Sequence, residues 1–294
     1  MNNTEFLCEQ LKIHTEKPFA LSAHSTVGVG GNARLALFPK TIVETIALLN
    51  VLKEENIRYY VVGNMSNLLP CDEDTETVIV CMKKMTGLEI GANGAFAEAG
   101  VSSGMFLNAC RKAEKSGGEF LTGIPCTIGG ALYMNAGVSG RYIAEIVDAV
   151  LVWTEKGVLE LSVSECGYAY KNSIFMQNGG AILGASFRLI NRSEREIEAT
   201  CKAYLEKRNH LPKGKSMGCV FKNPDGKIAG ELIEKAGLKG KRIGGAYISD
   251  NHANFIINGN NATAADICKL IELIKQTVFE KFNVRLEEEI RYLT

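Results

Sequence analysis

Three short segments, residues 168–175, 216–224 and 286–291, hold residue types that could carry out chemistry. The first sets Lys171 among tyrosines, where a cation can hold an anionic group in a semi-apolar site. The second contains Cys219, which could act as an acid or a nucleophile, and the third holds three consecutive acidic residues, Glu287, Glu288 and Glu289. The ordinary alternatives are a surface lysine, a thiol that fills a core and a solvated acidic face. Spacing alone leaves these alternatives open.

Two segments rich in glycines and amides could lie against a large ligand. Residues 123–137 hold four glycines and one proline but no charged residue, so their backbone can turn sharply and approach a phosphate or an aromatic ring. Residues 63–69 read Gly-Asn-Met-Ser-Asn-Leu-Leu after a predicted strand, and their amide and hydroxyl donors suit a pyrophosphate. A glycine-packed turn in the first segment and a polar turn in the second would explain the same composition.

Two nucleotide-binding motifs are incomplete in this sequence. Residues 28–33 match G-x-G-x-x-A, but a predicted strand at 35–38 follows where a dinucleotide fingerprint requires a helix. The Gly-Lys-Ser triplet at 214–216 lacks the earlier glycine that a P-loop requires. The sequence therefore predicts a glycine-rich hairpin or strand entry at 28–33 and argues against nucleotide hydrolysis.

The composition limits the possible partners. Lysine plus arginine and aspartate plus glutamate number 33 each among 294 residues, so no overall basic field attracts nucleic acid or anionic lipid. The nine cysteines include no Cys-x-x-Cys pair, which argues against a metal site and favours reduced thiols. The first residues lack signal-peptide features, and no apolar run of about 18 residues predicts a membrane span. We therefore expect a cytoplasmic protein with no metal, nucleic-acid or membrane partner.

Predicted helices and strands alternate along the chain, which indicates an α+β or α/β protein. Apolar periodicity predicts helices near 5–14, 41–55, 193–209, 230–237 and 263–282. It predicts strands at 35–38, 59–62, 77–81, 149–153, 158–161, 181–189 and 284–292.

The last predicted strand carries the acidic residues. Alternation over 284–292 puts Leu286, Ile290 and Tyr292 on one face and Glu287 and Glu289 on the other, with neighbouring arginines. A solvated face whose charges cancel is the ordinary explanation for such a pattern.

Seven segments, taken together and in order, resemble the UDP-N-acetylenolpyruvoylglucosamine reductases, a flavoenzyme family of peptidoglycan precursor synthesis. The segments span nearly the whole chain: Thr26–Gly31, Gly63–Leu69, Gly123–Gly137, Tyr170–Phe175, Gly218–Pro224, Ser249–Asn258 and Leu286–Arg291.

The resemblance implies an α+β fold. A FAD-binding domain of the vanillyl-alcohol-oxidase (PCMH) type, in two α+β lobes, would precede an α+β substrate-binding domain. The implied boundaries are an N-terminal helix at 1–20, the FAD-binding domain at 21–192 with its lobes divided near 84, and the substrate-binding domain at 193–294. We expect a monomer.

The resemblance also implies the reaction. FAD would be bound non-covalently and reduced by NADPH, and UDP-N-acetylglucosamine enolpyruvate would then be reduced to UDP-N-acetylmuramate. Hydride addition to such an enol ether builds negative charge towards the adjoining carboxylate. The site would therefore need a cation, a polarising acid and a proton donor.

The family's motifs imply a role for each matching residue. The implied catalytic residues are Lys171, Cys219 and Glu289, with Glu287 the second choice for the glutamate. The implied substrate-binding residues are Tyr170, Lys222 and Asn223. The implied cofactor-binding residues are Gly63, Asn64, Met65, Ser66, Asn67, Leu68, Gly123, Ile124, Pro125, Thr127, Gly129 and Gly130.

Three positions depart from the family's pattern. Cys219 stands where serine is the usual proton donor, and we expect activity to survive because a thiol is a stronger acid than an alcohol. Lys171 stands where arginine is usual and lacks the fork that matches a carboxylate. Cys126 stands where glycine is usual, and a positive φ there would strain a cysteine. The chain also has no obvious insertion for the extra substrate loop of the family's longer form.

These departures keep two other functions open. One is a flavin oxidase of the same fold, which would react fast with oxygen and ignore the sugar nucleotide. The other is a catalytically weak sugar-nucleotide-binding protein, which would hold flavin without turning over the substrate.

Overall fold

The computed structural model describes residues 3–177 and 179–294. Its α-helices within these ranges are α1 Asn3–Gln10, α2 Leu21–His24, α3 Ile42–Glu54, α4 Ser103–Lys112, α5 Ile128–Met134, α6 Glu194–Arg208, α7 Ala229–Lys235 and α8 Ala264–Phe282. Its strands there are β1 His14–Glu16, β2 Phe19–Ala20, β3 Asn32–Phe38, β4 Tyr59–Val62, β5 Leu68–Pro70, β6 Thr75–Cys81, β7 Leu88–Ile90, β8 Gly94–Glu98, β9 Lys115–Ser116, β10 Gly137–Val138, β11 Arg141–Tyr142, β12 Val147–Thr154, β13 Gly157–Ser162, β14 Ala181–Arg188, β15 Ile190–Asn191, β16 Lys215–Cys219, β17 Arg242–Ile243, β18 Ala246–Ile248, β19 Phe255–Asn258 and β20 Arg291–Leu293.

The chain forms two compact units, each built from separate stretches. Unit 1 comprises Met1–Glu16, Leu35–Asn64 and Thr77–Asn209, and unit 2 comprises Lys17–Arg34, Met65–Glu76 and His210–Thr294. Met1 and Asn2 lie outside the described residues. The folding domains predicted at 1–20, 21–192 and 193–294, with a lobe division near 84, stay predictions.

Unit 1 contains two large sheets and two two-stranded ones, β10 with β11 and β9 with β15. Strands β13, β12, β14, β8 and β7 form an antiparallel sheet in that order, and β1, β3, β6 and β4 form a second sheet in which β4 and β6 are parallel. Helix α5 packs on β14 and β8. Alternating apolar residues on these strands and helices supply one core, in which Leu48, Phe106, Leu132 and Val150 are fully buried.

Unit 2 is built around a four-stranded antiparallel sheet with the order β16, β19, β18 and β17. Helix α8 packs on β17 and β18 through an apolar face that includes Ile267, Leu270 and Ile274. Val27 and Leu69, from the two earlier stretches of this unit, lie in the same core.

Most of the predicted elements are confirmed. The long C-terminal helix begins where the sequence predicts: the Thr263 hydroxyl accepts from the Asp266 amide at 3.0 Å, and the Asp266 carboxylate accepts from the Thr263 amide at 3.1 Å. The predicted helix near 5–14 is wrong at its end, because α1 ends at Gln10 and His14 begins β1.

The predicted strand over 284–292 is wrong for most of its length. Only its last two residues lie in a strand, β20, after a single isolated bridge between Phe221 and Glu288. Leu286 and Ile290 are buried as predicted, but Tyr292 is 42% exposed while Leu293 is buried. Parallel pairing of β20 with β5 sets this register, and the alternation of a single segment cannot reveal such long-range pairing.

Within the described residues, no helix is both long enough and apolar enough to cross a membrane. The same residues contain no group of three or more His, Cys, Asp or Glu side chains that could hold a metal ion.

Candidate active site

The glycines of the central segment let helix α5 begin against an earlier part of unit 1. The Thr127 hydroxyl accepts from the Gly130 amide at 3.3 Å and so caps the helix. The Gly129 amide donates to the Ala99 carbonyl at 2.9 Å, and a Cβ added to Gly129 would lie 2.9 Å from the Ala99 Cβ. Close packing therefore explains Gly129, as the alternative of a buried glycine turn predicts.

Gly63, at the end of β4, meets the same helix start. A Cβ on Gly63 would lie 2.2 Å from the Thr127 Oγ1, so a larger residue cannot occupy this position without displacing the cap. The Asn64 side-chain amide donates to the Pro125 carbonyl at 2.9 Å. In unit 1, then, the predicted cofactor-binding residues Gly63 and Asn64 meet Thr127 and Pro125 of the second segment, and the missing side chain of Gly63 makes room for the helix cap. This arrangement fits a flavin nucleotide.

A cavity of about 490 Å³ opens beside this region of unit 1. Gly123, Ile124 and Pro125 line one side of it, and Ser103 and Leu107 of α4 line another. The Ser103 hydroxyl donates to the Ile124 carbonyl at 2.6 Å and holds the predicted cofactor-binding segment in place.

Cys126 fits its position without backbone strain. Its φ is not among the positive values of the described residues, and its side chain is 8% exposed. Burial raises the pKa of the Cys126 thiol to about 11. A cysteine in place of the family's glycine therefore acts here as a small, neutral core residue.

Tyr170 and Lys171 occupy the tip of a tight turn in unit 1. Ala169 and Asn172 exchange two backbone hydrogen bonds of 3.1 and 3.2 Å, which leaves the two residues between them as the loop. Lys171 has φ +52°, in the left-handed region, and Tyr170 is 42% exposed with its ring edge-to-face against Tyr142.

Buried polar contacts tie this turn to the end of α5. The Asn135 side-chain amide donates to the Ala169 carbonyl at 2.8 Å, and the fully buried Ser173 hydroxyl donates to the Tyr133 carbonyl at 2.6 Å. Unit 1 therefore places the turn of Lys171 at one end of the helix whose other end is capped by Thr127. The sequence reasoning assigned no such role to Asn135.

Cys219 lies in unit 2 at the end of β16. Gly218 before it has φ +77°, and the pairing of β16 with β19 is irregular between Ser216 and Cys219. An irregularity of this kind re-aims the neighbouring side chain. The Cys219 side chain is half-buried.

Two backbone hydrogen bonds join the residues after Cys219 to the segment of Glu289. The Lys222 amide donates to the Glu287 carbonyl, and the Glu289 amide donates to the Val220 carbonyl, both at 2.8 Å. Lys222 also forms an ion pair of 2.5 Å with the Glu287 carboxylate. Unit 2 therefore brings together the segments that carry Cys219, Lys222 and Glu289.

Asn67 contacts the Glu289 segment from the other side. Its side-chain amide donates to the Glu289 carbonyl at 3.0 Å, and its own carbonyl accepts from the Arg291 amide at 2.9 Å. Met65, two positions earlier, is buried with φ +51°. Sequence reasoning assigned Asn67 to the cofactor and missed this contact, because no local signal relates positions 67 and 289.

Asn223 holds the start of α7. Its side-chain oxygen accepts from the Ala229 amide at 3.0 Å, so part of this predicted substrate-binding residue serves the fold of unit 2.

A polar cluster surrounds Glu288, which is neither a predicted site residue nor a simple surface acid. Its carboxylate accepts from the Tyr292 hydroxyl at 2.5 Å and forms an ion pair with Lys275. Partial burial, followed by the bond to Glu288, raises the pKa of the Tyr292 hydroxyl above its usual range.

Two family models match separate parts of the chain. A family model for the C-terminal domain of UDP-N-acetylenolpyruvoylglucosamine reductase matches residues 209–293, and a FAD-binding domain model matches residues 33–162. The predicted α+β fold class with a FAD-binding domain is thereby confirmed.

Individual relatives align over almost the whole chain. The UDP-N-acetylenolpyruvoylglucosamine reductase of Clostridium novyi (strain NT) is 36% identical over 271 residues, which cover 91% of this chain and 88% of that protein. The one of Thermosipho melanesiensis is 39% identical over 274 residues, with 92% of each chain covered. The crystal structure of the reductase from Thermus caldophilus aligns with a TM-score of 0.83 at 32% identity, covering 96% of this chain and 100% of that one.

Proposed function

The chain belongs to the UDP-N-acetylenolpyruvoylglucosamine reductase family, and on that premise we propose how its residues divide the work of the reaction. The reaction is the FAD-dependent reduction of UDP-N-acetylglucosamine enolpyruvate to UDP-N-acetylmuramate with NADPH, a step of peptidoglycan precursor synthesis. When bound, FAD supplies hydride transfer from NADPH to the enolpyruvyl carbon that is remote from the carboxylate.

Residues 63–68 and 123–130 hold the FAD in this proposal. The meeting of Gly63 with Thr127 and the hydrogen bond of Asn64 to Pro125 support it, because they bring the two donor-rich segments together in unit 1. Serine, asparagine and threonine side chains of the same segments add hydrogen-bond donors.

Lys171 and Glu289 stabilise the charge that develops on the substrate carboxylate. The left-handed turn presents Lys171 at a loop tip, where an ammonium can meet an anion. Glu289 acts as the polarising acid towards the substrate carboxylate as negative charge builds there. Tyr170 packs beside the bound substrate.

Cys219 donates the proton that completes the reduction. Its S–H bond breaks as a C–H bond forms at the carbon that bears the carboxylate, and water then returns a proton to the thiolate. The observation that carries this assignment is the pair of backbone hydrogen bonds that sets the segment after Cys219 against that of Glu289.

Lys222 and Asn223 bind the sugar nucleotide in this proposal. Lys222 already holds an anionic partner in Glu287, and a diphosphate group would compete with that carboxylate for the same ammonium. Glu287 is 74% exposed, so it can move aside at small energetic cost.

We further propose that the enzyme acts as a monomer in the cytoplasm. All nine cysteines are described and none forms a disulfide bond, which supports a reducing compartment.

The test separates the two half-reactions. We would reduce the bound flavin anaerobically with NADPH, add UDP-N-acetylglucosamine enolpyruvate, and follow the return of flavin absorbance at about 450 nm. Cys219→Ser should keep most of the reoxidation rate, whereas Cys219→Ala and Glu289→Gln should slow reoxidation and leave reduction by NADPH unchanged.

Other outcomes would reject these assignments. Equal loss in both half-reactions, or no loss, would rule out proton donation by Cys219. A wild-type flavin that reacts with oxygen but never with the sugar nucleotide would favour the oxidase or the weak binding protein.

A further inference from the structure

Asn67 holds the backbone on the C-terminal side of Glu289. Its side-chain amide donates to the Glu289 carbonyl at 3.0 Å, and its backbone carbonyl accepts from the Arg291 amide at 2.9 Å. The next residues continue this contact, because Leu68 to Pro70 pair in parallel with Arg291 to Leu293. The end of the predicted phosphate-binding loop and the Glu289 segment therefore form one hydrogen-bonded piece of unit 2.

The other side of Glu289 is held independently of Asn67. The Glu289 amide donates to the Val220 carbonyl at 2.8 Å, and the Lys222 amide donates to the Glu287 carbonyl at the same distance. Both polar backbone groups of Glu289 are thus engaged, and the only one of these contacts made by a side chain is that of Asn67. A side chain can be exchanged while the pairing of backbone with backbone remains.

We infer that Asn67 is a positioning residue for Glu289, which fixes the peptide on which the glutamate stands and thereby the reach of its carboxyl group. This inference rests on the proposed role of Glu289 in substrate reduction. It also differs from a role in cofactor binding alone, because it predicts an effect on the half-reaction that uses Glu289 and not on the one that uses NADPH.

Two variants remove the contact in different ways. Asn67→Leu removes the amide at similar volume, and Asn67→Asp keeps the shape but replaces the donor with an acceptor that faces a carbonyl oxygen. The backbone carbonyl of residue 67 can still accept from the Arg291 amide in both. Thermal unfolding would establish that each variant folds, and Asn67→Asp carries the test if Asn67→Leu does not fold.

The expected result is a split between half-reactions. Reoxidation of reduced flavin by the enolpyruvyl substrate should slow by about ten- to a hundredfold, the loss expected when a catalytic group shifts by on the order of 1 Å. Reduction by NADPH, measured per bound flavin, should be unchanged.

Hydrogen exchange supplies a readout that does not depend on turnover. The Glu289 amide should exchange faster in Asn67→Leu than in the wild type, because the peptide that follows it has lost its anchor. Tyr292→Phe is the matched control: it removes the hydroxyl that donates to neighbouring Glu288 at 2.5 Å but leaves the Glu289 carbonyl contact in place. It should leave both half-reactions unchanged.

The double variant Asn67→Leu with Glu289→Gln separates this inference from the proposed function. If Asn67 acts through Glu289, the double variant should reoxidise no more slowly than Glu289→Gln alone. Independent, additive losses, or flavin loss with equal slowing of both half-reactions, would overturn the inference. A normal Glu289→Gln enzyme would instead reject the role of Glu289 itself.

Discussion

Asn254 holds both backbone polar groups of Phe221. Its side-chain oxygen accepts from the Phe221 amide at 2.9 Å, and its side-chain amide donates to the Phe221 carbonyl at 2.8 Å. Asn254 is 3% exposed and Phe221 is 1% exposed, so water does not compete for these bonds. The buried amide therefore fixes the backbone between Cys219 and Lys222.

Asn254→Asp should destabilise the protein and impair the site together. An ionised carboxylate can accept from the Phe221 amide but cannot donate to its carbonyl, which would leave a buried acceptor without a partner. We expect the free energy of unfolding to fall by about 1–3 kcal/mol, measured by urea titration. Flavin reoxidation by substrate should slow in the surviving folded protein, and an unchanged unfolding midpoint would contradict the role given to this clamp.

Gly63→Ala should lower flavin content. Its new Cβ would lie 2.2 Å from the Thr127 Oγ1, so the cap of α5 or the end of β4 must move. The matched control is Gly104→Ala in α4, where a Cβ meets nothing within 4 Å and alanine should stabilise the helix by roughly 0.5–1 kcal/mol. Flavin per protein after gel filtration and thermal midpoints measure both effects. Equal flavin content in the two variants would show that flavin binding does not require glycine at position 63.

Cys126→Gly should destabilise the protein although glycine is usual in the family at this position. The residue has no positive φ to relieve, so glycine adds backbone freedom to the unfolded chain and removes a buried thiol. We expect a lower thermal midpoint, with flavin content unchanged. A higher flavin content in the glycine variant would mean that cysteine obstructs the cofactor.

The free energy of unfolding should fall at alkaline pH because of the Cys110 thiol. Burial, with the nearby Glu119 carboxylate, raises the pKa of the Cys110 thiol from about 9.0 to about 12. Because the folded state binds this proton more tightly, the contribution to stability is complete below pH 9 and is lost as pH rises from 9 to 12.

The test compares the wild type with Cys110→Ala under reducing conditions. Alanine should be less stable at pH 7 because it leaves a small cavity, and the gap between the two proteins should narrow as pH rises above 9. Urea titrations at pH 7, 9 and 10.5 measure it. A stability difference that stays constant with pH would mean that the Cys110 thiol has the same pKa in the folded and unfolded states.

Local patterns in the sequence correctly predicted the helices and strands that depend on interactions between neighbouring residues. The capping pair of Thr263 and Asp266 and the apolar face after it correctly located α8, and the alternation at 149–153 and 158–161 correctly located β12 and β13. The alternation at 284–292 predicted the wrong buried face at the end of the chain. Leu293 is buried in place of Tyr292 because β20 pairs with β5, more than two hundred residues earlier.

The resemblance predicts the residue types of the site but not the contacts that support their backbone. The resemblance named Cys219, Lys222 and Glu289, whose segments the structure joins within unit 2. It said nothing of Asn254, which clamps Phe221, or of the contact between Asn67 and Glu289. Such contacts join positions far apart in the sequence, and an asparagine in a polar segment carries no sign of its partner.

Unit 2 is built from stretches that are far apart in the sequence, and this determines when its core can form during biosynthesis. Val27, Val29 and Leu69 belong to a core whose other members, from Met217 onward, are translated last. At about 5–20 residues per second, the ribosome needs roughly 10 to 40 s to add the intervening chain. During that interval these apolar side chains have no core to enter, so the nascent protein presents a window in which a chaperone that binds short apolar segments can engage its first seventy or so residues.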